Sequence, residues 1–475
     1  MTSRRALLIV LAVGSAVKLL AWLTLPLIVT NDGAYYLHWG SQLAGGRWPD
    51  LPDTRTPGYP VFVGVATLLF GSSPMGLLLA QHLLGITAAV CAWKIGRDLG
   101  GPKTALLAGL AVALEPWLLV LSHYALADAP TAVLLLAAAA CVSGPNPRGP
   151  PAALAGALLG AAILMRPASM AWAPGIALVV MLSAAPNWKP RLARLAVLGL
   201  AVTITLAPWL AFNANRGVPG LARTEGLALW GGLARSGLLE PESDAIDSLP
   251  DDLQQRARRL VDSERSEDAL LTLFRDIGRT DRINRGELAA AWSRDSIAAD
   301  PMGYLRTTGH AALWQSNAML RSSPYRHDET LWQMRRLGTP ETGTAAPNFS
   351  TGHDLPVLET YIDTPGVGPL AWLSRNWPLG RFQWPHVPAA ALTLVAIGWL
   401  AWRRRWQHAA LLAGSFPIVI GHAILLQPFS RYSVSAWLLW CTGAAFAFSV
   451  CLPRAIALVR HPVLQRSEDR PERGA

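Results

Sequence analysis

The stretch ALLIVLAVGSAVKLLAWLTLPLIV, Ala6–Val29, decides the fold. It exceeds the ~20 residues that cross a hydrocarbon core. It runs into Asn31-Asp32-Gly33-Ala34-Tyr35-Tyr36, and a short polar segment later comes Arg55-Thr56-Pro57-Gly58-Tyr59-Pro60. An acid just past the first membrane helix and an arginine just before the second belong to one membrane surface. Arg4 and Arg5 precede the run, and no small-x-small cleavage site precedes Asn31, so the run reads as a retained first helix rather than a signal peptide.

The same kind of run recurs along the chain. Charged residues make up 15% of the 475-residue chain against ~25% in soluble domains, and the 52% of apolar residues fall in long blocks. The chain reads as an all-α polytopic membrane protein with about ten membrane helices. These are Ala6–Val29, Pro74–Gly96, Thr104–Leu121, Tyr124–Val142, Ala152–Met165, Ala168–Leu182, Leu192–Phe212, His386–Trp402, His408–Leu426 and Tyr432–Leu452. The run Val61–Phe70 is too short to span and reads as a re-entrant or interfacial piece of the first outside loop, 30–73. Residues 1–212 then form an N-terminal membrane module and 213–385 a mostly helical extracytoplasmic domain. Residues 386–453 give three closing helices and 454–475 a cytoplasmic tail.

Orientation has its own signal. With Arg4 and Arg5 inside, every inside junction carries a Lys or Arg: Lys94, Arg97 and Lys103; Arg148; Lys189, Arg191 and Arg194; Arg403–Arg405; Arg454 and Arg460. This is the positive-inside pattern, and it predicts both termini in the cytoplasm of an inner or plasma membrane. It also explains the net charge of +10 without nucleic acid, because the basic residues sit at helix ends facing headgroups. Cys91, Cys141, Cys441 and Cys451 all lie in apolar runs, which excludes a disulfide framework in the long polar segment.

The outside face then collects Asp32, Arg55, Glu115, His123, Asp128, Arg166, Asn213, Arg216 and Arg431. Ionisable groups at membrane depth are costly and usually face a bundle interior or cavity. A carboxylate can take a proton from an acceptor hydroxyl. Arginines can hold a phosphate by paired, charge-assisted hydrogen bonds. Those are the requirements of sugar transfer from a polyprenyl phosphate. Each residue also has a plainer reading: Asp32 as a helix cap, Arg55 and Arg431 as interfacial anchors, Arg166-Pro167 as a turn, His123 as a surface histidine.

At these positions the chain resembles the C-type (GT-C) glycosyltransferases, in the bacterial branch of aminoarabinose transferases and protein O-mannosyltransferases. The resemblance rests on the ordered set of the two first-loop motifs, Leu126-Ala127-Asp128, Gly156–Pro167 ending in Met-Arg-Pro, Pro208-Trp209 with Asn213, and Arg431-Tyr432. It implies an inverting transfer from a polyprenyl-phosphate sugar on the outside face. It marks Asp32 as the catalytic acid position, Asp128 as the second acidic position and Arg55 as a phosphate contact. Two departures stand out: Gly33 replaces the second acid of an Asp-Glu pair, and Phe212 precedes Asn213 where relatives have Arg-Asn.

The resulting expectation is an integral membrane glycosyltransferase with Asp32 and Asp128 catalytic and with Arg55, Arg166 and Arg431 on the donor phosphate. Tyr35, Tyr59, His123, Asn213 and Arg216 are the substrate contacts. Its partners are the bilayer, the lipid-linked donor and a glycan, lipid or protein acceptor. A divalent metal stays open, because no ligand cluster stands out. Two alternatives remain: a transporter or flippase of a lipid-linked sugar, and a glycan polymerase or ligase using lipid-diphosphate donors.

Overall fold

The structure is a computed structural model that describes residues 1–24, 27, 31–144, 149–183, 187–218, 220–222, 225–263, 273, 277, 284–321, 386–425 and 434–454. Its regular elements are helical, and among the described residues there is no strand. Five helical stretches are long and apolar enough to cross a membrane: Ser3–Leu23, Pro74–Gly100, Trp188–Asn215, Trp406–Ile424 and Val434–Arg454. Shorter apolar helices stand at the remaining expected positions, and the protein is a multi-pass membrane protein.

In chain order the first module comprises α1 (Ser3–Thr24), α2 (Asn31–Ala44), α3 (Gly58–Phe70), α4 (Pro74–Gly100) and α5 (Pro102–Ala113). It continues with α6 (Pro116–Leu121), α7 (Asp128–Val142), α8 (Gly149–Met165), α9 (Ala173–Met181) and α10 (Trp188–Asn215). Prolines open many of these helices, where the missing N–H costs nothing. At the start of α4, the Ser73 hydroxyl accepts from the Met75 amide at 3.2 Å.

The third expected membrane helix, Thr104–Leu121, is not continuous. Pro116 cannot extend α5, so the chain breaks and restarts as α6, whose free Leu118 amide is capped by the Glu115 carboxylate. That cap is wholly buried.

Lipid cannot press helices together by a hydrophobic effect, so close packing must do it. The bundle is accordingly built on small residues. The alanine run 137–140 of α7 is largely buried near the middle of the main core, which also takes in α4, α8, α9 and the closing helices. The α2–α3 pair shows the principle locally. A Cβ at Gly40 would lie 2.4 Å from Val63, so only glycine lets these two helices touch.

After α10 come α11 (Glu225–Ser236), α12 (Asp244–Asp247), α13 (Asp251–Ser263), α14 (Arg285–Ala299) and α15 (Pro301–Arg321). They have their own core around Trp230 and Trp292, whose rings stand 5.7 Å apart. The break between α14 and α15 falls at Asp300, where Pro301 forbids continuation. Tyr304 donates its hydroxyl to the Ile424 carbonyl at 2.7 Å, joining this unit to the membrane bundle. The closing helices are α16 (His386–Trp402), α17 (Trp406–Ala413), α18 (Phe416–Ile424) and α19 (Val434–Phe446). The expected loop Thr339–Pro369 and the tail from His461 lie outside the described residues.

Candidate active site

Two carboxylate–arginine pairs form the centre of the site, each bridging distant parts of the chain. Asp32 lies in the first turn of α2. Arg55 comes from the loop before α3 and donates from Nη2 to Asp32 Oδ1 at 2.6 Å. Both side chains are more than a third exposed, so this pair contributes little to stability and both groups can reach a ligand. Asp128 opens α7 with a side chain only 3% exposed, and Arg166, which follows α8, donates to it.

The sequence explains why the arginines approach each other's neighbourhood. A Cβ at Gly58 would lie 2.5 Å from the backbone of Leu164 and Met165. Glycine there lets the start of α3 rest on the end of α8. The Arg55 loop is thereby set beside the Arg166 turn.

Tyr36 stands between the pairs. Its ring lies under the Arg55 guanidinium, 6.0 Å from centroid to Cζ, and edge-on to Tyr59 at 5.1 Å and to Trp39 at 5.9 Å. Burial pushes its phenol above the ordinary value, and Arg55, Asp32, Arg166 and Asp128 all act on it electrostatically. It is therefore a neutral hydroxyl at physiological pH, within the field of all four charges. Tyr36 was not among the site residues expected from the sequence. Its i+4 spacing from Asp32 on a helix was the available signal.

The other expected residues have the following places. Tyr35 stacks on Trp39 at 5.6 Å and is exposed. Tyr59 is buried and donates to Gln81 Oε1 at 3.2 Å, and Gln81 in turn holds the carbonyls of Ser122 and Tyr124. The turn before α7 is thus tied to the first loop. His123 is buried against His82, with their Nε2 atoms 3.1 Å apart, and does not line the cleft described below. Lys18 is buried close by, its Nζ without a hydrogen-bond partner, and would lie 3.1 Å from a Cβ at Gly85.

Asn213 spends its amide on the Gly220 and Leu221 carbonyls, at 2.9 and 3.0 Å. Arg216 donates to the Leu51 carbonyl at 2.8 Å and lies over Phe212. These two residues brace the first loop and the exit from α10. Arg431 lies outside the described residues.

Behind the Asp128–Arg166 pair is a small, partly open cleft with room for about a water molecule. Thr131, Ser169, His422 and Ser435 line it, and sequence reasoning missed all four. Thr131 stands three residues after Asp128 on α7, the spacing that puts side chains on one helix face, and Ser169 lies in the turn that follows Arg166. The other two come from α18 and α19, and nothing in the sequence ties those helices to α7. Among the described residues no group of three His, Cys, Asp or Glu side chains could hold a metal ion. Both site carboxylates are instead met by arginines.

Residues 54–212, about a third of the chain, match the family described as dolichyl-phosphate-mannose-protein mannosyltransferase. The match includes Arg55, Tyr59, Asp128 and Arg166, and stops short of Asp32 on one side and Asn213 on the other. That family consists of glycosyltransferases, and the resemblance read from the motifs is a match over this segment. No curated protein matches.

Among solved structures, the chain is similar to the oligosaccharyltransferase of Archaeoglobus fulgidus in its apo form. Identity is 14% and the TM-score 0.50, over 100% of this chain and 53% of that one. The same enzyme, AglB, with an inhibitory peptide and a dolichol-phosphate gives 15% and 0.49, over 100% and 52%. ArnT from Cupriavidus metallidurans bound to undecaprenyl phosphate gives 15% and 0.38, over 91% and 77%. The chain spans about half the length of the oligosaccharyltransferase chains it matches. The likeness is one of fold: a C-type membrane glycosyltransferase bundle.

Proposed function

We propose that the protein is an inverting glycosyltransferase that moves a sugar from a polyprenyl-phosphate donor to an acceptor hydroxyl on the extracytoplasmic face. The observation that carries this reading is the pair of carboxylate–arginine contacts, Asp32–Arg55 and Asp128–Arg166, which both act on one half-buried tyrosine, Tyr36.

The chemistry follows from the groups. Arg55 and Arg166 bind the donor's phosphate, and their charge is worth most on the leaving phosphate, where negative charge develops. Asp32, exposed enough to meet an acceptor, takes the hydroxyl proton as the acceptor oxygen bonds to the anomeric carbon. The bond from that carbon to the phosphate oxygen breaks on the opposite side. Asp128, buried and paired, holds Arg166 in place. Arg431 is a further phosphate candidate. The unit built on Trp230 and Trp292 stands on the same side and offers the acceptor surface. The polyprenyl chain lies in the bilayer.

The test is reconstitution in nanodiscs with synthetic polyprenyl-phosphate sugars and a cell-envelope acceptor fraction. Release of polyprenyl phosphate with labelled sugar appearing in the acceptor supports the reading. Intact donor after prolonged incubation with every acceptor fraction refutes it.

The transporter reading gains one observation: Lys18, His82, Glu115 and His123 are ionisable and buried inside the bundle. Intramembrane charges of this kind mark transport paths in other proteins. Movement of a fluorescent lipid-linked sugar across a liposome without its cleavage would favour that reading.

A further inference from the structure

Helix α4 begins at Pro74, beside the first loop, and runs 27 residues to Gly100, roughly 40 Å at about 1.5 Å per residue. Its far end therefore lies at the membrane surface opposite Asp32. Three turns of the chain meet there. The Arg405 guanidinium donates to the Leu99 and Asp98 carbonyls at 2.7 and 3.0 Å, which holds the turn between α16 and α17 on the end of α4. Thr104, in the first turn of α5, shares a 2.7 Å hydrogen bond with Ser449, in the segment that continues α19. A Cβ at Gly100 would lie 3.0 Å from Phe446 and Val450, so that segment also rests on the end of α4.

These contacts gather exposed cations from separate parts of the chain: Arg97 of α4, Lys103 of α5, Arg403 and Arg404 between α16 and α17, and Arg454 beyond α19. Across residues 94–105, 399–408 and 446–454 the one acid is Asp98. Its side chain is 10% exposed and accepts from Lys94, Arg97 and Ser143. The rim is thus strongly basic, and its single carboxylate is already occupied.

A cation at a helix C-terminus also interacts with the helix dipole. Arg405 fills that role, turned inward onto the last carbonyls of α4. Arg403 and Arg404 stay exposed. Arg404 holds a left-handed backbone, φ 56°, which glycine or asparagine adopts more easily. Arg403 lies over the rings of Trp399 and Trp402, at 5.5 and 5.2 Å. Trp402 and Trp406 bracket the turn and are 65% and 54% exposed, as interfacial tryptophans are. A free phosphate ion would meet the cations and leave both indoles in water. A phospholipid meets both, with its phosphate on the cations and its acyl chains against the indoles.

We propose that this rim binds the headgroup of an anionic phospholipid in the leaflet opposite the Asp32 loop, with Arg403 and Arg404 as its main contacts and Lys103 and Arg454 beside them. General attraction of basic loops to an anionic surface would treat every basic loop on this face alike, whereas the gathered turns make one discrete site. The site is independent of the glycosyl-transfer chemistry.

Native mass spectrometry of the full chain in detergent micelles measures affinity for added phosphatidylglycerol and phosphatidylcholine. The wild-type protein should bind phosphatidylglycerol about tenfold or more tighter. Arg403→Gln/Arg404→Asn removes two exposed charges and places asparagine at the left-handed position, so the fold is retained. It should lose most of that preference, at roughly fivefold per surface charge. Lys103→Gln/Arg454→Gln, from the other two turns, should lower the preference too. Lys189→Gln/Arg191→Gln removes two charges at the start of α10, whose other end meets the first loop, and should leave the preference unchanged.

Equal affinity of the wild-type protein for the two lipids overturns the site. An equal loss in all three double variants also overturns it, because the attraction would then follow total charge. Displacement of the bound lipid by millimolar inorganic phosphate overturns it as well, by putting a free anion in the lipid's place.

Discussion

Arg55 donates to Asp32 at 2.6 Å across 23 residues of chain, so the arginine expected to hold the donor and the acid expected to act as base meet each other before any substrate arrives. On the proposed mechanism, donor and acceptor divide this contact: a phosphate that draws the guanidinium toward itself frees a carboxylate oxygen for the acceptor hydroxyl.

Asp32→Asn tests the base. Asn keeps an oxygen that can accept from Arg55 and serves the start of a helix about as well as Asp, but it cannot take a proton. Transfer should fall by ~10²–10⁴, with expression and donor affinity retained within a few fold. Near-normal turnover would reduce Asp32 to a helix-start residue and move the search for the base to Asp128.

Arg55→Ala tests the phosphate contact. Both members of the pair are more than a third exposed, so the melting temperature should hardly move. The apparent KM for the lipid donor should rise, because a charge-assisted contact made partly in the ground state is lost. Unchanged donor kinetics would transfer the role to Arg166 or Arg431.

Topology has an independent check. Single cysteines at positions 309 and 404, both exposed, can be placed in a background lacking Cys91, Cys141, Cys441 and Cys451. An impermeant thiol reagent added from outside should label position 309 and spare position 404, as the basic junctions predict. The reverse pattern would put the Asp32 loop in the cytoplasm and exclude a lipid donor presented on the far face.

Much of this was legible in the chain because lipid simplifies the code. The membrane runs and the charges at their ends are one-dimensional signals, so Asp32, Arg55, Asp128 and Arg166 could be named without a structure. Pairing was not legible. Nothing in the sequence says that Arg55 meets Asp32 and Arg166 meets Asp128, since that depends on Gly58 letting α3 rest on α8. The break of the third expected helix at Glu115-Pro116 was readable in principle, because a proline after a capping acid is a start signal, but continuous hydropathy masked it. His422 and Ser435 were beyond reach: only tertiary packing brings α18 and α19 to the cleft.

The Asp128–Arg166 pair should behave oppositely to Asp32–Arg55 in its effect on stability. Asp128 is almost fully buried and Arg166 about three-quarters buried. Removing one partner leaves the other charged in a low-dielectric site, which typically costs about 3–5 kcal/mol, less here to the extent that solvent reaches Arg166. Asp128→Asn and Arg166→Gln should therefore each lower the melting temperature in detergent clearly. The double variant, with no charge left to strand, should lose less than the sum of the two. The coupling between the two residues, read from the four proteins of the cycle, should exceed 0.5 kcal/mol, the threshold that separates contacting pairs from independent ones. Additive losses would mean that the contact is not formed in the membrane and that Arg166 is free to hold phosphate unaided.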